Sequence, residues 1–399
     1  MGIMPTAPPV AGSMISIVSV TGYRMGSVTV LGPLMPPGFA ENGRFKHRCP
    51  AARETIGICR WIAEGLNRRE PARATDMIET RQLRVLLWHV HGSWTTSFVR
   101  GRHRYLLPVV AGGGPWGRGR CGRDWPAAEE VPADALRMAE PDVVVLQRPE
   151  EIDLTERWLG RRPGVDIPAI YVEHNAPRDG AATSRHPLAD RTDIPLVHVT
   201  HFNELMWDSG RAPTSVVPHG IVDPGALYTG ELPHGVALIN EARRRARVTG
   251  SDLLADFARA GPVDLYGIGA GEFTPAAPTL HPVRGIGDFA QTELHAEMAR
   301  RRVYLHTARW TSLGLSLLEA MHLGMPVVAL ATTEAVAAVP PEAGATSTDI
   351  AALTAKFHEF LHEPDLAVLA GKSGRQFALE HYGLGAFLRR WDVLLAEVT

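Results

Sequence analysis

The chain has 399 residues, 45% of them hydrophobic and 21% charged, with 41 basic against 43 acidic side chains and a formal net charge of −2. That length accommodates two domains of roughly 100–200 residues each, and the balanced charge gives no electrostatic reason to expect nucleic acid or an anionic membrane as a partner. Three cysteines without a CxxC pair exclude a complete disulfide framework and a cysteine zinc site, and no run of about 18 apolar residues offers a transmembrane segment, so the expected setting is reducing and cytoplasmic.

Residues 1–82 are rich in Pro, Gly and Met without sustained periodicity, and six of the eleven methionines (Met1, Met4, Met14, Met25, Met35, Met77) fall there. They read as a disordered leader or as an over-extended gene start with Met77 as initiator; a small structured cap is the other reading. From Arg84 onward, strand-like and helix-like segments alternate. Short runs that are apolar on both faces predict buried parallel strands at 84–90, 142–146, 167–172, 196–199, 236–239, 263–266, 303–306 and 326–330. Between them, "SDLLADFARA" puts Leu253, Leu254, Phe257 and Ala258 on one helical face with Ser251 as a cap. "GDFAQTELHAEMARRR" predicts a helix capped by Asp288, and "STDIAALTAKFHEFLHEP" a helix with Leu353, Phe357, Phe360 and Leu361 on one stripe, ended by Pro364.

Alternation of this kind specifies doubly wound α/β domains. Two runs of it, over about 83–218 and from about 234, flank the Pro- and Gly-dense stretch "VVPHGIVDPGALYTGELPHG", which has the composition of a hinge and divides the chain into domains over about 83–233 and 234–383. The expected fold class is therefore α/β, two Rossmann-like domains facing a cleft between the carboxyl ends of their sheets, where such folds bind ligands.

The stretch "TSLGLSLLEAMHLGMPVV", Thr311–Val328, carries the most chemistry. A glycine-bearing turn opens a helix at Gly314 or Leu315, and Gly324 and Pro326 stop it. Such a helix start presents free amide N–H groups and partial positive charge, suited to a phosphate. Glu319 lies just over one turn inside. It is placed either to accept hydrogen bonds from a vicinal diol such as a ribose, or to sit on a solvated face beside an arginine. "GIGAG" (267–271) is a glycine cluster followed by a proline-rich loop, which argues against a dinucleotide fingerprint. His89 and His91 are explained by alternation on a buried strand better than by a metal.

The block resembles the signature of retaining GT-B glycosyltransferases of family 4, matched here by Gly314, Leu315, Glu319, Ala320, Met321, Gly324, Pro326, Val327 and Val328. "VVPHGIVD", "VDLYGIGAG" and "IPAIYVEHN" resemble other family segments in the same order, so that the likeness spans about 83–399. It implies transfer of a sugar from a nucleoside-diphosphate sugar to a hydroxyl acceptor, without metal or cofactor. Glu319 would bind the ribose, and Gly314, Leu315, Ser312, Gly92 and Gly267 would lie against the donor. His174 would come to the cleft from the first domain, and helix 384–399 would return to that domain. Two departures stand out: Thr311 occupies the place of the first signature glutamate, and Thr249 that of the lysine which, with Arg244, would clamp the diphosphate. Arg247 is the nearby candidate for the second charge. Loss of activity with those residues, leaving a nucleotide-sugar-binding protein, and a sugar-nucleotide epimerase are the alternative readings.

Overall fold

The computed structural model describes residues 81–399, so the readings made for the residues before Met77 lie outside the described part. The predicted apolar runs do form strands buried on both faces: β1 (Arg84–Leu87), β4 (Val143–Leu146) and β5 (Ala169–Glu173) hold almost nothing but buried side chains. With β2 (Arg104–Val109), β3 (Ala128–Pro132), β6 (Leu196–His198) and β7 (Thr214–Val216) they make a seven-stranded parallel sheet in the order β3-β2-β1-β4-β5-β6-β7. A second, six-stranded parallel sheet contains β8 (Leu232–Leu238), β9 (Val263–Tyr266), β10 (Val283–Gly287), β11 (Arg301–His306), β12 (Val327–Leu330) and β13 (Gly344–Ser347), in the order β10-β9-β8-β11-β12-β13. In each sheet the winding reverses beside the first strand, between β1 and β4 and between β8 and β11. Those switch points are where an open α/β sheet leaves a crevice for a ligand.

The longer helices are α1 (Gly92–Phe98), α2 (Glu150–Leu159), α3 (His201–Met206), α4 (Gln291–Arg300), α5 (Leu315–Leu323), α6 (Ile350–His362), α7 (Pro364–His381) and α8 (Leu384–Val398). Three end-signals work differently from their sequence reading. α4 starts three residues later than Asp288, with Ala290 still extended at φ −60° and ψ 145° as its N-cap. Ser251 caps nothing; its hydroxyl donates to the Ala242 carbonyl at 2.5 Å, and the predicted 251–260 helix is only a 3-10 turn followed by the single turn Leu254–Phe257. Pro364 stops α6 but also begins α7, because the first turn of a helix has no use for the N–H that proline lacks.

Each sheet is sandwiched between apolar clusters. One face of the first sheet packs against α1 and α8, where Trp94, Phe98, Phe387, Trp391 and Leu395 are each 1% exposed. Trp94 lies 4.8 Å from Phe98 and 5.7 Å from Trp391, ring centre to ring centre, so it is a packing residue. The chain passes between the sheets twice. The two passages are hydrogen-bonded to each other where the Ile221 N–H donates to the Tyr382 carbonyl at 2.9 Å. Arg375 of α7 clamps the first passage through Asp223, at 2.7 and 2.8 Å.

Candidate active site

A cavity of about 1120 Å³ lies between the carboxyl ends of the two sheets, with Trp116, Arg148 and Trp207 on the first-sheet side and Arg245, Trp310 and Thr311 on the other. Its second-sheet wall follows from the glycine turn after β11. Gly314 is the N-cap of α5, extended at φ −68° and ψ 117°, and no side chain caps the helix, so its leading amides are available to an anion. A side chain at Gly314 could not be accommodated: a Cβ there would stand 2.8 Å from the His306 ring. His306 is itself buried, with burial lowering its pKa to about 4, so it faces the turn as a neutral ring. Leu315 is the first residue of α5; Thr311 and Ser312 line the cavity just before it, and the buried Ser312 hydroxyl has no hydrogen-bond partner among the described residues.

Glu319 lies on the next turn, 5% exposed, with one carboxylate oxygen hydrogen-bonded and the other near a histidine ring. Gln291 Nε2 donates to Oε1 at 3.1 Å, and His295 Nε2 stands 3.5 Å from Oε2. Its open side gives onto a smaller cavity of about 270 Å³, closed from the first sheet by Ser93, Thr96 and Arg100 of and beside α1. The helix start therefore separates two spaces, one holding Thr311 and Ser312 and the other Glu319. Gly92 opens α1 against the Arg123 guanidinium, which a Cβ would meet at 2.6 Å. Gly267 ends β9 at φ +123°, a conformation open to glycine, with its N–H donating to Gly287 at 2.9 Å. No helix follows the "GIGAG" glycines; a 3-10 turn and a loop lead into β10.

The basic run 243–247 divides. Arg244 lines the large cavity while its guanidinium is held by Glu241. Arg247 turns away to Asp252, at 3.0 Å, which also receives Arg309 at 2.6 and 3.0 Å. Arg245 faces the cavity, half-buried, and forms no salt bridge among the described residues. Sequence reasoning passed over Arg245 because the helix here is a single turn, Ala246–Thr249, too short for periodicity to tell one arginine from the next. Thr249 spends its hydroxyl on the Arg245 carbonyl at 3.0 Å.

On the first sheet, His174 stands at the end of β5, buried, 4.3 Å from the His91 ring and 5.0 Å from Trp94 between ring centres. Burial, with His91 and His219 nearby, keeps its pKa well below the ordinary histidine value; His91 is held at about 4 and His219 at about 3 in the same way. His89 is separate from this group, its Nδ1 set 3.0 Å from the Gly119 carbonyl oxygen. Arg148 packs over Trp116 at 4.1 Å and is tied to Glu151 at 2.7 Å. Neither Arg148 nor Gln147 was singled out from sequence, although both follow a predicted strand end and a proline next fixes the turn.

Comparison with known proteins fits this geometry. Residues 281–377 match the family described as Glycosyl transferases group 1, a stretch that contains Thr311, Gly314 and Glu319. No curated protein sequence matches the chain. Among solved structures, Anabaena HepE in complex with UDP superposes with a TM-score of 0.59 at 13% identity, over 79% of this chain and 100% of that one. A glycosyltransferase from Rickettsia africae gives 0.57 at 13% identity over 80% and 99%, and sucrose-phosphate synthase from Thermosynechococcus elongatus 0.55 at 15% over 79% and 99%. Two parallel-sheet lobes about a cleft, with a group 1 domain in the second, give this chain the fold and the signature domain of a GT-B glycosyltransferase.

Proposed function

We propose that the protein is a retaining glycosyltransferase of family 4 that moves a sugar from a nucleoside diphosphate to a hydroxyl acceptor. The observation that carries this reading is the uncapped start of α5 at Gly314, set between the buried Glu319 carboxylate and the Thr311–Ser312 wall, with Arg245 and Arg244 on the same cavity. The second lobe, about 234–383, would hold the donor, with Glu319 on the ribose and the Gly314–Leu315 amides and Arg245 on the diphosphate. Gly267 would lie beside the base, and Gly92 would close over the phosphates from the first lobe, which would also take the acceptor. Preorganised amides and cations stabilise the leaving diphosphate without metal or cofactor, and in retention the departing phosphate takes the acceptor's proton. Thr311 would offer the donor sugar a hydroxyl in place of the family's carboxylate. Among the described residues no helix is long and apolar enough to cross a membrane; we place the work of the enzyme in the cytoplasm, with no nucleic acid as partner.

Because HepE was solved with UDP, UDP sugars are the first donors to try. Incubation of the protein with UDP-, GDP-, ADP- and dTDP-sugars in turn, without acceptor, should show slow nucleotide release from one of them, with the freed sugar keeping its anomeric configuration. An inverted product would refute retention. Tight nucleotide binding without any release would favour the binding-protein reading, which the threonines at 311 and 249 support. A sugar nucleotide epimerised rather than split would show in the same product analysis.

A further inference from the structure

On the first-lobe wall of the large cavity, which the donor does not use, two side chains are fastened to one patch. Trp207 is half-buried there, and its indole N–H donates to the Asn175 carbonyl at 2.8 Å. The Asn175 N–H in turn donates to Glu173 Oε1 at 2.7 Å. A second link runs through His186. The Leu188 N–H donates to His186 Nδ1 at 3.1 Å, so Nε2 carries the ring proton and donates to Glu173 Oε2 at 3.2 Å. The same ring meets Trp207 at near right angles, 5.1 Å between ring centres. With its N–H spent on the backbone, Trp207 offers a ligand only carbon and π surface. Glu173 is 6% exposed and lines the cavity, and a carboxylate has about four lone-pair positions, so it can accept more than these two bonds. From the second lobe, Trp310 donates its N–H to the Pro177 carbonyl at 2.8 Å, two residues beyond Asn175. Its neighbour Thr311 lines the same cavity, which sets the donor-sugar wall beside the patch.

We propose that this patch is the acceptor subsite and that the acceptor is a neutral saccharide, one sugar ring lying against Trp207 with a hydroxyl donating to Glu173. The role as acceptor rests on the glycosyltransferase reading above; the binding of a saccharide does not. A pyranose has a C–H face and a rim of hydroxyls, and an indole without a free N–H beside a fixed carboxylate divides in the same way. Neutrality follows from the charges. The first-lobe wall sets Arg148, Arg178 and Arg185 against Glu150, Glu173 and Asp179, which leaves no excess to hold a phosphate or a uronate. A lipid tail finds no match either, since the aliphatic groups on that wall are prolines and Ala176.

The test uses the full chain with maltose, cellobiose, lactose and diacetylchitobiose as neutral probes, against glucuronate, glycerol 3-phosphate and farnesol. Saturation-transfer NMR without nucleotide reads binding, and nucleotide release from whichever sugar nucleotide is split reads transfer. At least one neutral disaccharide should bind and should speed release by at least about tenfold, with a product one sugar longer. W207A should weaken that binding by about tenfold or more, and W207F should restore it to within about threefold, because phenylalanine keeps an aromatic face and drops only the N–H. E173Q should weaken it by about tenfold, as a charge-assisted hydrogen bond becomes a neutral one. Ligand-free melting temperatures show which variants are folded, and W207F and E173Q carry the test if W207A is not. Binding of the anionic probes or farnesol alone overturns the substrate class, and so does failure of every neutral saccharide to bind. Neutral binding that W207A leaves intact, or that W207F weakens as much as W207A, overturns the placement on the Trp207 ring. Saccharide binding that falls in W207A, with no sugar nucleotide split, removes the glycosyltransferase reading and the acceptor role while the saccharide site stands.

Discussion

Replacing Glu319 by alanine tests the donor site most directly, because the consequence can be separated from loss of fold. The carboxylate is 5% exposed and already takes one hydrogen bond from Gln291 at 3.1 Å, with His295 at 3.5 Å. A carboxylate has about four lone-pair positions, and with one taken by Gln291 there is room for both vicinal ribose hydroxyls. Hydrogen bonds to a charged group are worth about 1.5–3 kcal/mol each. Losing a pair should weaken nucleotide binding by about 3 kcal/mol, or ~150-fold in Kd. The substitution also leaves the Gln291 amide without its acceptor, at a cost of about 1–3 kcal/mol to the fold. Comparing the ligand-free melting temperatures of both proteins measures that cost separately. Calorimetric titration with UDP and with 2′-deoxy-UDP then completes a double-mutant cycle. The unaltered protein should bind the deoxynucleotide more weakly than UDP by at least tenfold, about one hydrogen bond's worth, and E319A should bind the two alike. If E319A discriminates between them as well as the parent does, Glu319 does not read the ribose, whatever happens to overall affinity.

Three further outcomes are expected. R245A should lose about 2 kcal/mol of UDP affinity, ~30-fold, with little effect on uridine, whereas R247A, whose partner is Asp252, should stay within twofold; the reverse order would move the diphosphate off the cavity wall. His219 and His306 have folded pKa values near 3 and 4, below the unfolded 6.5, so the folded state favours their neutral form. Their contribution is complete above about pH 6.5 and is lost as pH falls toward 4, by up to about 3 kcal/mol for His306 alone, and urea midpoints at pH 7.5, 6 and 5 should fall accordingly. Glu151, raised by burial to about 7 from 4.5, opposes this trend by about as much as one of the two histidines, because acidification favours its protonated form in the fold, so the net fall is about that of a single histidine and a midpoint that rises on acidification would refute the histidine account. Finally, W391A removes a fully buried indole from between α8 and the first sheet and should destabilise by about 3–5 kcal/mol, read from chemical denaturation.

What could be read in the sequence was set by burial. Runs such as 142–146 and 263–266 are enclosed on both faces, and their shortness and β-branched content point to a parallel strand in a covered sheet. The edge strands β3 and β13 escaped notice because partial exposure lets "AEEVP" and "GATS" carry polar residues that resemble loop. β2 hid behind a proline, and β10 behind its glycines. The Gly314–Glu319 block was legible since a helix start and its first turns are local. The division of labour among Arg244, Arg245 and Arg247 was not, because it depends on how one short turn meets Asp252 and Glu241. Trp207 gave no signal either, since its meaning comes from a carbonyl 32 residues earlier and a carboxylate held to the same residue.

The return of α8 to the first sheet has a consequence for how the chain is made. Ser97 donates to the Gly220 carbonyl at 2.6 Å, and Phe387 lies so close over Gly220 that any side chain there would collide with it. The first lobe thus presents a finished seven-stranded sheet with an apolar groove that, among the described residues, 384–398 fill, and the whole second lobe is translated in between. At ribosomal rates of about 5–20 residues per second, that groove stays open for tens of seconds at the slower end. A nascent chain in this condition has its greasiest surface exposed while its catalytic lobe is still unfinished. Supplying the 384–398 segment in trans as a peptide, or moving it ahead of β1 by circular permutation, should raise the yield of folded protein more than any substitution within the second lobe.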